Sequence, residues 1–339
     1  MDVGLRRELE EKVGEGVRLT REDGIALYGS DDLAWLGGLG HRARARKNGD
    51  AALFDVGPLA GPPRDDDSRP GPSRPDPRSV GELRAALAGL SPRALSAGEI
   101  HRVETVSGAD ASEILDELIE SGLESLTAGG AEIFDEEVRR RLGVHATPWA
   151  DWSRIHRLAH DKGLWTVCGM LHGRVEEPGH RVDHVLRLRE AQDASGGFRV
   201  FAPLPRRQDT WGAPGDTAAD VIGARVRPAT GAEILKAVAV SRLLLDNVPH
   251  LRVSWAIHGA HTTQLALQHG ADDIAGTVAD HDGASEVGGA SPEPTRDDLL
   301  DAIRDAGLRP VERDGRYAVI REYAGPDPAR RDAPQPMRV

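Results

Sequence analysis

Apolar positions in this chain follow two rhythms that keep replacing each other: helical spacing, and short continuous runs of strand length. Residues 2–13 and 20–47 have helical spacing. The second stretch opens with Thr20-Arg21-Glu22-Asp23, where a hydroxyl can satisfy an orphan backbone amide, and its stripe of Leu27, Leu33, Trp35, Leu36 and Leu39 is broken by Gly37, Gly38 and Gly40. A helical pair capping one end of a domain is the expectation. Residues 51–56 then form a short strand, 80–90 a helix, 93–97 a strand, 111–121 a helix and 122–127 a strand. A loop at 128–132 leads to a charged helix through Arg141 and another helix over 149–162. Residues 164–176 read as an apolar strand ending in a glycine-punctuated loop. Helix 181–194, strand 198–204, helix 232–246, strand 251–257, helix 262–269 and a short strand at 272–275 follow, then helix 295–306 and a hairpin over 310–319 around Asp314-Gly315. Such alternation, with crossovers of one hand, implies a parallel sheet flanked by helices, closed or partly closed into a barrel.

Between strand 51–56 and helix 80–90 the pattern stops. From 57 to 79 nearly every residue is Gly, Pro, Asp, Arg or Ser, and Leu59 is the one large aliphatic side chain. Such a stretch buries too little apolar surface to offset the entropy of ordering it, so a disordered linker is expected there, and a disordered tail over 325–339. Residues 1–324 are read as one α/β domain.

Composition narrows the function classes. The 339 residues carry a net charge of −12, and all but four of the 43 basic residues are Arg, which is a composition bias more than a phosphate-binding design. Nucleic acid is therefore a poor partner. No window is apolar enough to span a membrane and the first residues lack a signal-peptide core, so a cytoplasmic address is expected. Cys168 is the single cysteine. It cannot form an internal disulfide, and within one chain it cannot complete a thiolate zinc or iron–sulfur ligand set. Its place inside an apolar strand also argues against a nucleophile.

Polar residues collect in the loops after the strands. Ser96, Glu99 and His101 follow one strand, Gly129, Gly130 and Glu132 the next, and Gly169, His172, Gly173, Arg174 and Glu176 the third; Arg206, Arg207, Gln208 and Asp209 and then His258 and His261 come later. In a barrel these loops converge at one mouth. Taken singly, each has a bland explanation as a helix cap, a core histidine or a solvated loop. His258 and His261, with Asp280, His281 and Asp282 further on, have ligand chemistry for zinc or non-haem iron, but the histidines are scattered and no HExxH helix is present, so no metal site is assigned.

Several runs carry a family resemblance: Gly129-Gly130-Ala131-Glu132-Ile133-Phe134-Asp135, Arg154-Ile155-His156-Arg157-Leu158-Ala159-His160, the stretch from Arg181 to Glu190, Ala239-Val240-Ser241-Arg242-Leu243-Leu244-Leu245-Asp246-Asn247, and Gly270-Ala271-Asp272-Asp273. Together they resemble the aminofutalosine synthase family of radical S-adenosylmethionine (SAM) enzymes, which serves the futalosine route to menaquinone, and more distantly its relatives dehypoxanthine futalosine cyclase and FO synthase. Gly169-Met170-Leu171-His172-Gly173-Arg174-Val175-Glu176 is similar to the G-x-I-x-G-x-x-E pattern that lies beside the adenine of SAM. The resemblance implies an incomplete TIM-type βα barrel, with N-terminal helices and a C-terminal helix plus hairpin. It makes Gly129, Gly130, Gly169, Leu171, Gly173 and Glu176 candidates for holding SAM or another adenosyl ligand. Ser96, Glu99, Arg207 and His258 become candidates for substrate, and Glu132, His172 and Glu176 for acid–base work.

The departures matter as much. The family carries a C-x-x-x-C-x-x-C loop after its first barrel strand, then a helix and a second strand. Here Asp55-Val56 runs straight into the Pro-rich segment, so early βα units are missing and no [4Fe–4S] cluster is expected. Two functions follow as expectations. One is a non-radical binding or regulatory partner, as a homodimer or with an active enzyme of the pathway. The other is a cluster-independent lyase, hydrolase or transferase acting on a nucleoside or aryl carboxylate. Loss of βα units should leave a sheet edge that needs covering.

Overall fold

A computed structural model describes residues 1–56, 77–88, 94–129, 133–142, 147–173, 176–205, 229–276 and 294–326. The chain starts with helices α1 (Val3–Glu15), α2 (Arg21–Tyr28) and α3 (Leu33–Asn48). Thr20 and Asp23 form the reciprocal capping box that starts α2. The glycines of α3 serve packing: a Cβ on Gly40 would sit 2.2 Å from the His269 carbonyl oxygen, so only glycine lets the helix approach this closely. Strand β1 (Ala51–Asp55) follows. The expected linker at 57–79 lies outside the described residues up to 76.

The chain resumes with α4 (Val80–Ala88), β2 (Ala94–Ser96), α5 (Ala97–Ser107), α6 (Ala111–Glu120), β3 (Ser125–Thr127), α7 (Glu136–Leu142), α8 (Trp149–Asp161), β4 (Trp165–His172), α9 (Pro178–Ser195) and β5 (Phe198–Pro205). Then come α10 (Gly231–Leu244), β6 (His250–Ser254), α11 (Trp255–His258), α12 (Ala260–Leu267), β7 (Asp273–Ala275), α13 (Arg296–Asp305), β8 (Arg309–Arg313) and β9 (Val319–Glu322). Two expectations are corrected. The segment after β2 is a helix, not a loop, because Ser96 and Glu99 cap it and Ile100 and Val103 give it a buried face. The strand expected over 251–257 stops at Ser254, where Trp255 begins a short helix.

Among the described residues the strands form one sheet in the order β2-β3-β4-β5-β6-β7-β1-β8-β9. Every pairing is parallel except β8 with β9. The expected partial α/β barrel is what forms, and β1 sits beside β7 and β8 instead of β2. Pro203 and Pro205 lie in β5 and cannot donate a ladder hydrogen bond, and β5 pairs with β6 only at Val200 and Phe201. The helix-facing side holds the main core, including Phe54, Trp152, Met170 and Phe201. A smaller cluster of Ala128, Val167 and Val200, with Trp165 and Tyr317 against it, fills the concave side. The β8–β9 turn crosses that side: Arg316 Nη2 donates to Glu124 Oε1 (2.6 Å), and Arg199 Nη1 to the Arg316 carbonyl (2.9 Å). No described helix is long and apolar enough to cross a membrane.

Candidate functional site

The carboxyl end of β4 is set by three small or charged residues. At Gly169 an added Cβ would lie 2.9 Å from both Ala128 Cβ and the Ala202 oxygen, so the sheet itself requires the glycine. Its carbonyl accepts from His184 Nε2 (2.8 Å), whose ring stacks on Phe134 at 4.5 Å. Gly173 turns the chain at φ +89°, a conformation that disfavours side chains, and a Cβ there would meet Ala229. Glu176 closes the turn. Its buried Oε1 accepts from the Gly173 amide (2.6 Å) and from Arg181 Nε (2.9 Å) and Nη2 (2.7 Å).

Strand alternation separates the other motif residues. Leu171 pairs with Leu204 on the concave side, whereas His172 shares the helix-facing side with Met170. His172 is fully buried, neither ring nitrogen has a hydrogen-bond partner, and burial, helped by Arg181 and His258, lowers its pKa to about 3. His258 is buried too, its Nδ1 accepting from the Ser254 amide (3.0 Å) and its Nε2 donating to the Pro203 carbonyl (3.1 Å). Ser96 and Glu99 spend their side chains on each other's backbone at the start of α5. Gly129 packs against Ser96, and its carbonyl accepts from Trp152 Nε1 (3.2 Å). Gly130, Glu132, Arg174, Arg207 with its neighbours, and Asp280, His281 and Asp282 lie outside the described residues.

Cys168 is fully buried on the helix-facing side of β4, its Sγ 3.5 Å from the Val200 carbonyl, and burial raises its pKa. An enclosed, protonated thiol with no second cysteine in the sequence does not fit the three-thiolate ligand set of a site-differentiated cluster. Among the described residues His101, Glu104 and Asp151 approach one another with metal-ligating atoms. Arg154 already binds both carboxylates, at 2.5 Å to Glu104 and 3.3 Å to Asp151.

Sequence reading missed a buried polar constellation inside the half-barrel. Asp273 is fully buried and takes both Arg313 Nε (2.8 Å) and Nη2 (2.9 Å), Arg252 Nε (2.8 Å) and the Tyr317 hydroxyl (2.6 Å). Arg313 Nη1 also reaches Asp55 Oδ2 at 2.9 Å. The two guanidinium groups hold the Asp273 carboxyl far below the usual range despite burial. Tyr317 stands at φ +65°, the one non-glycine residue in that region among the described residues. The one signal in the sequence was the Asp314-Gly315 turn, which says nothing about where its third neighbour points.

Comparison with known proteins agrees with the fold. The CofH/MqnC C-terminal region family model matches residues 195–324. The chain is 53% identical to aminodeoxyfutalosine synthase of Streptomyces coelicolor over 387 aligned positions, covering 100% of both chains. With 339 residues in this chain, 48 of those positions have no counterpart here. It is 32% identical to aminodeoxyfutalosine synthase of Thermus thermophilus, over 93% of this chain and 96% of that protein. Among solved structures, the methylornithine synthase PylB shares the fold at a TM-score of 0.55 and 17% identity, covering 88% of this chain and 95% of that one. HydG from Carboxydothermus hydrogenoformans gives 0.59 at 11% identity, covering 93% and 80%.

Proposed function

Because the chain belongs to the aminodeoxyfutalosine synthase family, yet has one cysteine where the family's chemistry uses three, we propose that it acts by binding, as a non-radical partner or regulator tied to menaquinone synthesis by the futalosine route. The observation that carries this reading is Cys168: it is single, fully buried and turned toward the helices. Without three thiolates no electron is delivered to a bound sulfonium.

The state of the other candidates supports binding over a replacement chemistry. Glu176 is committed to Gly173 and Arg181, His258 to the Ser254 amide and the Pro203 carbonyl, and Ser96 and Glu99 to a helix cap. An acid–base residue needs a proton-accepting atom free to meet substrate, and these side chains already serve the fold. An adenosyl ligand would meet Leu171 on the concave side. Strand β2 pairs with β3 alone among the described strands, which suits a partner that covers its outer edge.

The test is reconstitution of the purified protein with iron, sulfide, reductant and SAM. No reducible cluster and no SAM cleavage are expected; a cluster that cleaves SAM would overturn the proposal.

A further inference from the structure

Helices α5 and α8 pack side by side, and three metal-ligating side chains meet between them. His101 and Glu104 stand three residues apart on α5 and so share one face, and Asp151 comes from the first turn of α8. His101 Nδ1 lies 3.5 Å from Glu104 Oε2 and 3.9 Å from Asp151 Oδ1, and all three ligand atoms fall within 4.8 Å of one another. A tetrahedral zinc ion with bonds of about 2.1 Å spaces its ligand atoms about 3.4 Å apart, so small side-chain rotations bring this set onto one ion. His101 Nδ1 makes no hydrogen bond although two carboxylates face it, which is the relation of ligand atoms around a cation and not of donor to acceptor.

A cation already stands beside the set. Arg154 Nη2 lies 2.5 Å from Glu104 Oε2 and 3.3 Å from Asp151 Oδ1, so it answers the carboxylates and leaves the imidazole unanswered. The Arg154 side chain is 40% exposed, and those of His101, Glu104 and Asp151 are 27%, 21% and 32% exposed. The guanidinium can therefore swing into solvent, and its departure opens the cluster from outside. What it leaves is two negative charges and one imidazole, a set that a divalent ion neutralises and fully engages. The imidazole selects against Mg²⁺ and Ca²⁺, which take oxygen ligands, and in favour of zinc and its neighbours. We propose that His101, Glu104 and Asp151 form a site for a divalent ion of the zinc class, with Arg154 as its built-in competitor. Three protein ligands leave a fourth position for water. Because α5 follows β2 directly, the ion ties the strand at the outer edge of the sheet, through α5, to α8.

The experiment titrates Zn²⁺ and Mg²⁺ into the full-length, tag-free protein after chelator treatment, read by calorimetry, with Co²⁺ as a visible-absorption probe of tetrahedral coordination. Zn²⁺ should bind saturably and Mg²⁺ at least a hundredfold more weakly. His101→Ala should weaken Zn²⁺ at least tenfold and remove the tetrahedral Co²⁺ spectrum, which separates this site from the other histidines of the chain. Should that variant fail to fold, Asp151→Asn should give the same loss. Arg154→Met removes the competing cation and should tighten Zn²⁺ at least tenfold, a gain that a chance surface site would not show. Absence of Zn²⁺ binding, binding unchanged in a folded His101→Ala or Asp151→Asn variant, or binding unchanged or weaker in Arg154→Met would each overturn the proposal.

Discussion

An imidazole sealed from water with both nitrogens unanswered costs free energy, and His172 is such a group. Replacing it with an apolar side chain of similar size removes that cost, so His172→Leu is expected to leave stability unchanged or raise it by about 1 kcal/mol. His184→Leu loses the bond to Gly169 and the stack on Phe134, and should cost about 1–3 kcal/mol. Urea denaturation of both variants separates the cases, and a large loss in His172→Leu would contradict the assignment. Titration adds a second prediction. His172 and His184 are held near a pKa of about 3 and His160 near about 4, in each case chiefly by burial. The folded chain therefore refuses protons that the unfolded chain accepts below about pH 6.5. Stability should be full above that value and decline as pH falls toward 4, by about 1.4 kcal/mol per unit for each histidine within the window. Denaturation midpoints at pH 7 and pH 5 check this; equal midpoints would refute it.

At the scale of the element, the loop after β4 is held by a short set of contacts that can be broken one at a time. Gly169→Ala pushes a methyl against Ala128 and the Ala202 carbonyl, and should cost about 1–3 kcal/mol. Glu176→Ala strands Arg181, which is largely buried, and should cost about 3–5 kcal/mol and raise protease cleavage around 173–177. Thermal unfolding and limited proteolysis of the two variants distinguish strand strain from loop release. The motif that marks this loop was legible in the sequence, and so was nearly every helix and strand, because periodicity and turn residues are local. Helix α5 was missed because Ser96 and Glu99 read equally well as a capping box or as loop chemistry, and only the neighbouring strand decides. The roles of His172 and His258 were likewise out of reach: one residue of register separates the concave side from the helix side.

For the whole molecule the decisive contacts are those between residues far apart in sequence. Tyr317 joins Asp273, Arg252 and His250, and its neighbour Arg316 reaches Glu124. No pattern along the chain announces such a set, which is why the interior network was not legible beforehand. Tyr317→Phe keeps the ring and loses two hydroxyl bonds to charged partners, an expected cost of about 1.5–3 kcal/mol. Tyr317→Ala also removes the packing against Trp165 and His250, and should cost about 3–5 kcal/mol while exposing the 314–318 turn to protease. Equal losses in the two variants would show that the ring contributes little.

The position of β1 between β7 and β8 has a consequence for synthesis. Its residues leave the ribosome early, but their hydrogen-bonding neighbours begin at Asp273 and Arg309. At about 5–20 residues per second, Ala52 and Phe54 wait on the order of tens of seconds before a partner strand exists. During that interval the nascent chain carries an unpaired apolar strand. A chaperone-binding site near residues 51–55, occupied until residues 273–312 emerge, is the expected signature in ribosome-bound intermediates.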